Sequence, residues 1–137
     1  MMGRTVLHSI WIPLLLACSN PGEIKFKQYF LKGEQLYSQN CANCHQKDGR
    51  GLGALYPPLD SADYLTSFPD SVLCIIRKGR QGPMVVNGIT YNQPMPAFPA
   101  LTDLEIAQIA TYIHNSWSNR AEITDVKDAS AILDRCD

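Results

Sequence analysis

The chain has 137 residues, of which 45% are hydrophobic, 18% charged and 9% aromatic, and its formal net charge is −1. These figures describe one globular domain and exclude a disordered chain, whose hydrophobic content would be far lower. A balance so near neutrality also excludes a nucleic-acid binder, and no apolar run reaches the roughly 18 residues of a spanning helix. The five cysteines, Cys18, Cys41, Cys44, Cys74 and Cys136, are an odd set, so in an exported protein one thiol needs a separate fate.

Arg4 and an apolar run from Val6 to Ala17 have the order and length of a signal peptide. The run ends in Leu15-Leu16-Ala17-Cys18, which resembles the bacterial lipoprotein box, in which the cysteine receives a diacylglycerol and becomes the first mature residue. That resemblance implies a signal peptide over 1–17, a polar tether over 18–23, and a lipid anchor at Cys18 on the periplasmic or other extracytoplasmic side of a membrane. A plain secretory peptide cut near the same place is the alternative. From Cys18 onward eleven basic and thirteen acidic groups remain, a net charge of −2. Residues 18–59 carry five basic and three acidic groups, whereas 60–137 carry six and ten. No like-charge run or internal repeat interrupts the chain.

Residues 24–40 place Phe26, Tyr29, Phe30, Leu36 and Tyr37 at helical spacing, with Gly33 as a point of close approach. Then comes Cys41-Ala42-Asn43-Cys44-His45, a C-x-x-C-H sequence, the attachment signature of c-type haem. Residues three apart lie on one face of a helical turn, so both thiols can meet the two vinyl groups of one porphyrin while His45 offers an imidazole nitrogen to the iron. A thioredoxin-like pair would need a surrounding βαβ pattern. A zinc site would need a second close Cys or His pair, and only His8 and His114 remain.

Past Gly49, Gly51 and Gly53 stand Pro57-Pro58-Leu59, and Pro69 opens a second helix over 70–78, whose Val72, Cys74, Ile75 and Ile76 can line a cofactor cavity or the core. Asn87-Gly88 between short β-favouring runs predicts a hairpin near 84–91 with a type I′ turn. Two methionines stand beyond the haem motif: Met84 in that hairpin and Met95 in Pro94-Met95-Pro96, a loop stiffened by its prolines. Thr102 with Glu105 forms a capping box that introduces Ile106, Ile109, Ala110, Ile113 and Trp117 on one helix face. His114 falls at the end of that helix and reads as a surface or helix-end residue. A short helix is expected from Asp125 to Leu133.

These features resemble the class I cytochrome c family over residues 24–118. The resemblance implies an all-α fold of three to five helices around one covalently bound haem c and its iron, with 119–137 as a C-terminal extension packed on the domain. It also implies that Gly33 and Tyr37 mark the crossing of the first and last helices, with Tyr112 and Ile113 opposite Gly33. In the family a proline carbonyl accepts from the proximal histidine, and Pro57 fits that place, with Pro58 as its neighbour alternative. The axial methionine stands shortly before the last helix, which selects Met95 over Met84.

Cys74 and Cys136 are the pair left after anchoring and haem attachment, and an oxidising compartment permits their disulfide; two free thiols are the alternative. The constellation predicts an electron carrier with His45 and Met95 as axial ligands, a monomer serving redox proteins of a respiratory chain or a dehydrogenase or oxidase. No paired carboxylates or nucleophile triad suggest an enzyme. Lys47, Arg50, Lys78 and Arg80 could ring the haem edge. The alternatives are a dedicated subunit of a larger oxidase or dehydrogenase complex and a ligand-binding or peroxidase-like haem domain in which Met95 does not ligate.

Overall fold

A computed structural model describes residues 20–136; the expected signal peptide and Cys18 lie outside them. Asn20 opens the first helix, α1 (Pro21–Asn40). Its side-chain oxygen accepts from the Gly22 amide at 3.0 Å, and Pro21 brings a preset φ to a position that needs no amide donor. Helix therefore starts inside the stretch expected as tether, because cap and proline act before the apolar pattern begins.

The longest burial is α1 against a later helix, α5 (Asp103–Ile113). The expected capping box is present: the Thr102 hydroxyl accepts from the Glu105 amide at 3.2 Å, and the Glu105 carboxylate accepts from the Thr102 amide at 2.8 Å. Ile106, Ala107, Ile109 and Ala110 behind it are buried, the isoleucines contributing about 2 kcal/mol each. Where the helices cross, a Cβ at Gly33 would lie 2.0 Å from the Gln108 carbonyl oxygen and 2.8 Å from Tyr112 Cβ, so glycine alone admits the approach. Gln108 and Tyr112, one turn apart, are the partners; Ile113, expected there, is about 100° further round and faces a cavity instead.

Between α1 and α5 lie three more helices, α2 (Ala42–His45), α3 (Asp63–Ser67) and α4 (Pro69–Lys78), and a hairpin of β1 (Met84–Val86) and β2 (Ile89–Tyr91). With α6 (Val126–Leu133) that makes six helices among the described residues, more than the three to five expected, since α2 and α3 are single turns. The hairpin pairs Met84 with Tyr91, and Asn87 and Gly88 take φ of 51° and 76° as a type I′ turn requires. Its tip is tied to α3: the Asp63 amide donates to Asn87 Oδ1 at 2.9 Å and the Asn87 amide to Asp63 Oδ1 at 2.8 Å.

The C-terminal extension folds back onto α5 and α4. The Thr124 amide donates to the Thr111 hydroxyl at 3.1 Å, Asp125 caps α6 by accepting from the Lys127 amide at 3.0 Å, and Asp125 also pairs with Lys25 of α1. Cys74 of α4 is bonded to Cys136, with Cα atoms 5.5 Å apart, and the Lys78 ammonium donates to the Cys136 carbonyl. Among the described residues no helix is long and apolar enough to cross a membrane.

Candidate functional site

Helix α1 ends at Cys41, whose carbonyl accepts from the amides of Cys44 at 3.1 Å and His45 at 3.0 Å, closing the single turn of α2. This turn sets Cys41, Cys44 and His45 against one cavity. Both thiols are free. Burial, with Cys44 beside it, pushes the Cys41 thiol up to about 12, so it is held neutral. His45 is buried, and its Nδ1–H donates to the Pro57 carbonyl at 3.0 Å. Burial lowers the imidazole's pKa and the Pro57 bond opposes that shift. With Nδ1 occupied, the Nε2 lone pair is left for a ligand; no described residue takes it. Pro58 lines the cavity wall, but its carbonyl is not the acceptor.

The cavity has two chambers that share Cys41, His45, Pro57, Ile75, Met84 and Met95. The inner one is also lined by the core residues Tyr37, Leu65, Val72, Ile76, Ile109 and Ile113, and the outer one by Tyr91, Arg80 and Phe98. Met95 sits on a pinned backbone. Its amide donates to the Arg80 carbonyl at 2.9 Å, and the Arg80 amide donates to the Met95 carbonyl at 3.0 Å. Met84 reaches the same space from β1. Two thiols, an imidazole with a free nitrogen, thioether sulfurs on the shared wall and apolar sides are the donor set and surroundings that haem c requires.

Several placements differ from expectation. His114 is at a helix end, as the C-cap of α5, but it is buried rather than on the surface and lines neither chamber. Of the four cations expected around the haem edge only Arg80 borders the cavity; Lys78 is engaged with Cys136, and Arg50 stands 4.0 Å from Asp48. Sequence reasoning did not assign Tyr37 to the site, yet its ring lines the inner chamber and its hydroxyl donates to the Gln46 carbonyl at 2.6 Å, just past the motif. Its place four residues from the Cys41 cap was the available signal.

The cytochrome c family model matches residues 30–117, a span that contains Cys41, Cys44, His45 and Met95. The chain is 32% identical over 103 residues to cytochrome c-552 of Thermus thermophilus, which covers 72% of this chain and 78% of that protein. It is 34% identical over 104 residues to the gluconate 2-dehydrogenase cytochrome c subunit of Pantoea cypripedii, covering 73% of this chain and 23% of the subunit. Over 91 residues it is 32% identical to the cytochrome c subunit of alcohol dehydrogenase (quinone) of Gluconobacter oxydans, covering 65% of this chain and 19% of the subunit. With motif, fold and cavity in agreement, the chain belongs to the class I cytochrome c family, a family of electron-transfer proteins whose cofactor is covalently bound haem c with its iron.

Proposed function

We propose that the protein carries single electrons between membrane-associated redox proteins, with His45 and Met95 as axial ligands, as an extracytoplasmic monomer anchored through a lipid on Cys18. Haem c would supply the redox couple, and the chain's own residues set its surroundings. What supports the ligand pair is one cavity wall shared by His45, held through Nδ1 by Pro57, and Met95, held by its two-way bond with Arg80. A thioether is a weak ligand, and a backbone fixed in advance loses little entropy when the sulfur docks. Met84 is likewise held, by its pairing with Tyr91 in the hairpin, and what selects Met95 is its place shortly before α5, where the family's axial methionine stands.

A haem held by both His45 and Met95 would have its ferrous state favoured and its potential raised, and would offer no site on the iron to small substrates. That is the chemistry of a carrier rather than of an enzyme. Two relatives are named as cytochrome c subunits of dehydrogenases, which favours a second reading of the partner: a dehydrogenase complex in which this chain is one component. Co-purification from membranes separates the two.

The ligand set is tested by the spectrum of the ferric protein and by two substitutions. Wild type should be low-spin with a weak far-red sulfur-to-iron band. Met95→Ala should abolish that band, lower the potential and let the reduced protein bind carbon monoxide; Met84→Ala should leave all three unchanged. The reverse pattern overturns the assignment, and a high-spin wild type that binds carbon monoxide makes the protein a ligand-binding haem domain instead.

A further inference from the structure

The turn after α5, Trp117-Ser118-Asn119, is bonded to both flanks of the loop that holds His45. Trp117 has a φ of 56°, a left-handed conformation rare for a bulky side chain. It lays the indole against Gly49, where a Cβ would come within 2.7 Å of the ring, and Nε1–H donates to the Lys47 carbonyl at 3.2 Å. Asn119 Nδ2 donates to the carbonyls of Leu59 and Ile113, each at 2.8 Å, and its Oδ1 accepts from the Ser61 amide at 3.1 Å. Asp60 accepts from the Ser118 amide at 3.0 Å. The two flanks are also tied to each other, since the Gly49 carbonyl accepts from Leu59 at 2.7 Å and Asp60 at 2.9 Å. Between them runs the segment whose Pro57 carbonyl takes the His45 Nδ1–H, and the Gly51 amide donates to the His45 carbonyl at 3.0 Å. None of the three turn residues lines the cavity.

We propose that Trp117 and Asn119 are positioning residues for the proximal ligand: by locking 47–49 to 59–61 they fix the Pro57 carbonyl against His45 and so set the reduction potential. The proposal rests on His45 as the iron ligand. A firmly accepted Nδ1–H gives the imidazole more anionic character and makes it a stronger donor to ferric iron. Loosening the loop weakens that bond, the ferric state loses stabilisation, and the potential rises.

Asn115 is the matched control. It is also an asparagine at the end of α5, with Nδ2 donating to the Thr111 carbonyl within that helix at 2.9 Å and Oδ1 accepting from the Ala121 amide of the C-terminal extension at 3.0 Å, so neither bond reaches the haem loop. Asn115→Ala and Asn119→Ala are compared as holoproteins by redox titration, by the proton resonances of the His45 ring and by amide exchange. Both should lower the melting temperature. Only Asn119→Ala should raise the midpoint potential, shift the His45 resonances and speed exchange at Leu59 and Asp60, by roughly tenfold for a lost part-buried hydrogen bond. Equal potential shifts in the two variants, or faster exchange in Asn119→Ala with no change in potential, overturn the proposal. Should Asn119→Ala fail to accumulate with haem, Asp60→Ala removes the exposed contacts to the Ser118 amide and the Ser61 hydroxyl; it should give a smaller rise in potential, and no rise overturns the proposal as well. A wild type lacking the sulfur-to-iron band refutes the Met95 ligation separately, because the exchange and potential differences between the variants do not depend on it.

Discussion

His114 caps the end of α5 and is only 8% exposed, and neither its Nε2 nor the nearby Ser116 hydroxyl has a partner among the described residues. Burial lowers its pKa below the ordinary histidine value, since nothing offsets the cost of charging it. The unfolded chain therefore takes up the proton first. Stability is fully present above about pH 6.5 and is lost as pH falls through the unfolded value toward the depressed folded one. In the holoprotein, chemical denaturation at pH 7 and pH 5 should show this loss, and His114→Phe should flatten it; an equal slope in the variant would assign the loss to other groups. The sequence identifies the residue and its helix end but not its cover. Pro57 and Pro58 pose the same difficulty. Which carbonyl meets His45 depends on the path of the loop, where a Cβ at Gly51 would lie 2.2 Å from the Tyr56 carbonyl and 2.6 Å from that of Pro57.

Elements encoded by neighbouring residues were legible, and those completed by distant ones were not. Helix α5 is announced by Thr102 and Glu105, and the hairpin turn by Asn87-Gly88, so each could be placed before its partners were known. Helix α3 has five residues and no side-chain cap of its own; its first residue is held by Asn87, far along the chain. The Trp117–Asn119 turn is likewise written in bonds to residues 47, 59, 60 and 61. Helix α6 combines both cases: Asp125 caps it locally, while Lys25, Thr111 and Cys74 hold it in place. The Cys74–Cys136 bond spans a sequence separation of 62, for which the chain-entropy account gives about 4 kcal/mol. Cys136→Ser should therefore lower the urea midpoint by a clear margin while haem attachment persists, because Cys41 and Cys44 are untouched. Reductant should bring wild type to the same midpoint; a variant indistinguishable from oxidised wild type would mean that the bridge contributes nothing to stability.

At the scale of the whole molecule, the start of α1 constrains where an anchored domain can go. Only Ser19 and Asn20 stand in sequence between Cys18 and Pro21, the first residue of α1. A fully extended link of that length reaches about 10 Å. If Cys18 carries the lipid, the domain stays against its membrane, and its partners must present their redox centres there rather than wait for a freely diffusing shuttle. A lipid anchor and a charge-held peripheral protein differ in their response to salt, which screens the second and leaves the first in place. Wild type should stay in the membrane fraction through a high-salt wash, with a mass equal to residues 18–137 plus one haem and its acyl chains. Cys18→Ser should appear in the soluble extracytoplasmic fraction with its haem still attached, since the residues that bind it lie beyond the tether. Persistence of the variant in the washed pellet would place the attachment elsewhere, and the short link would then no longer hold the domain to its membrane.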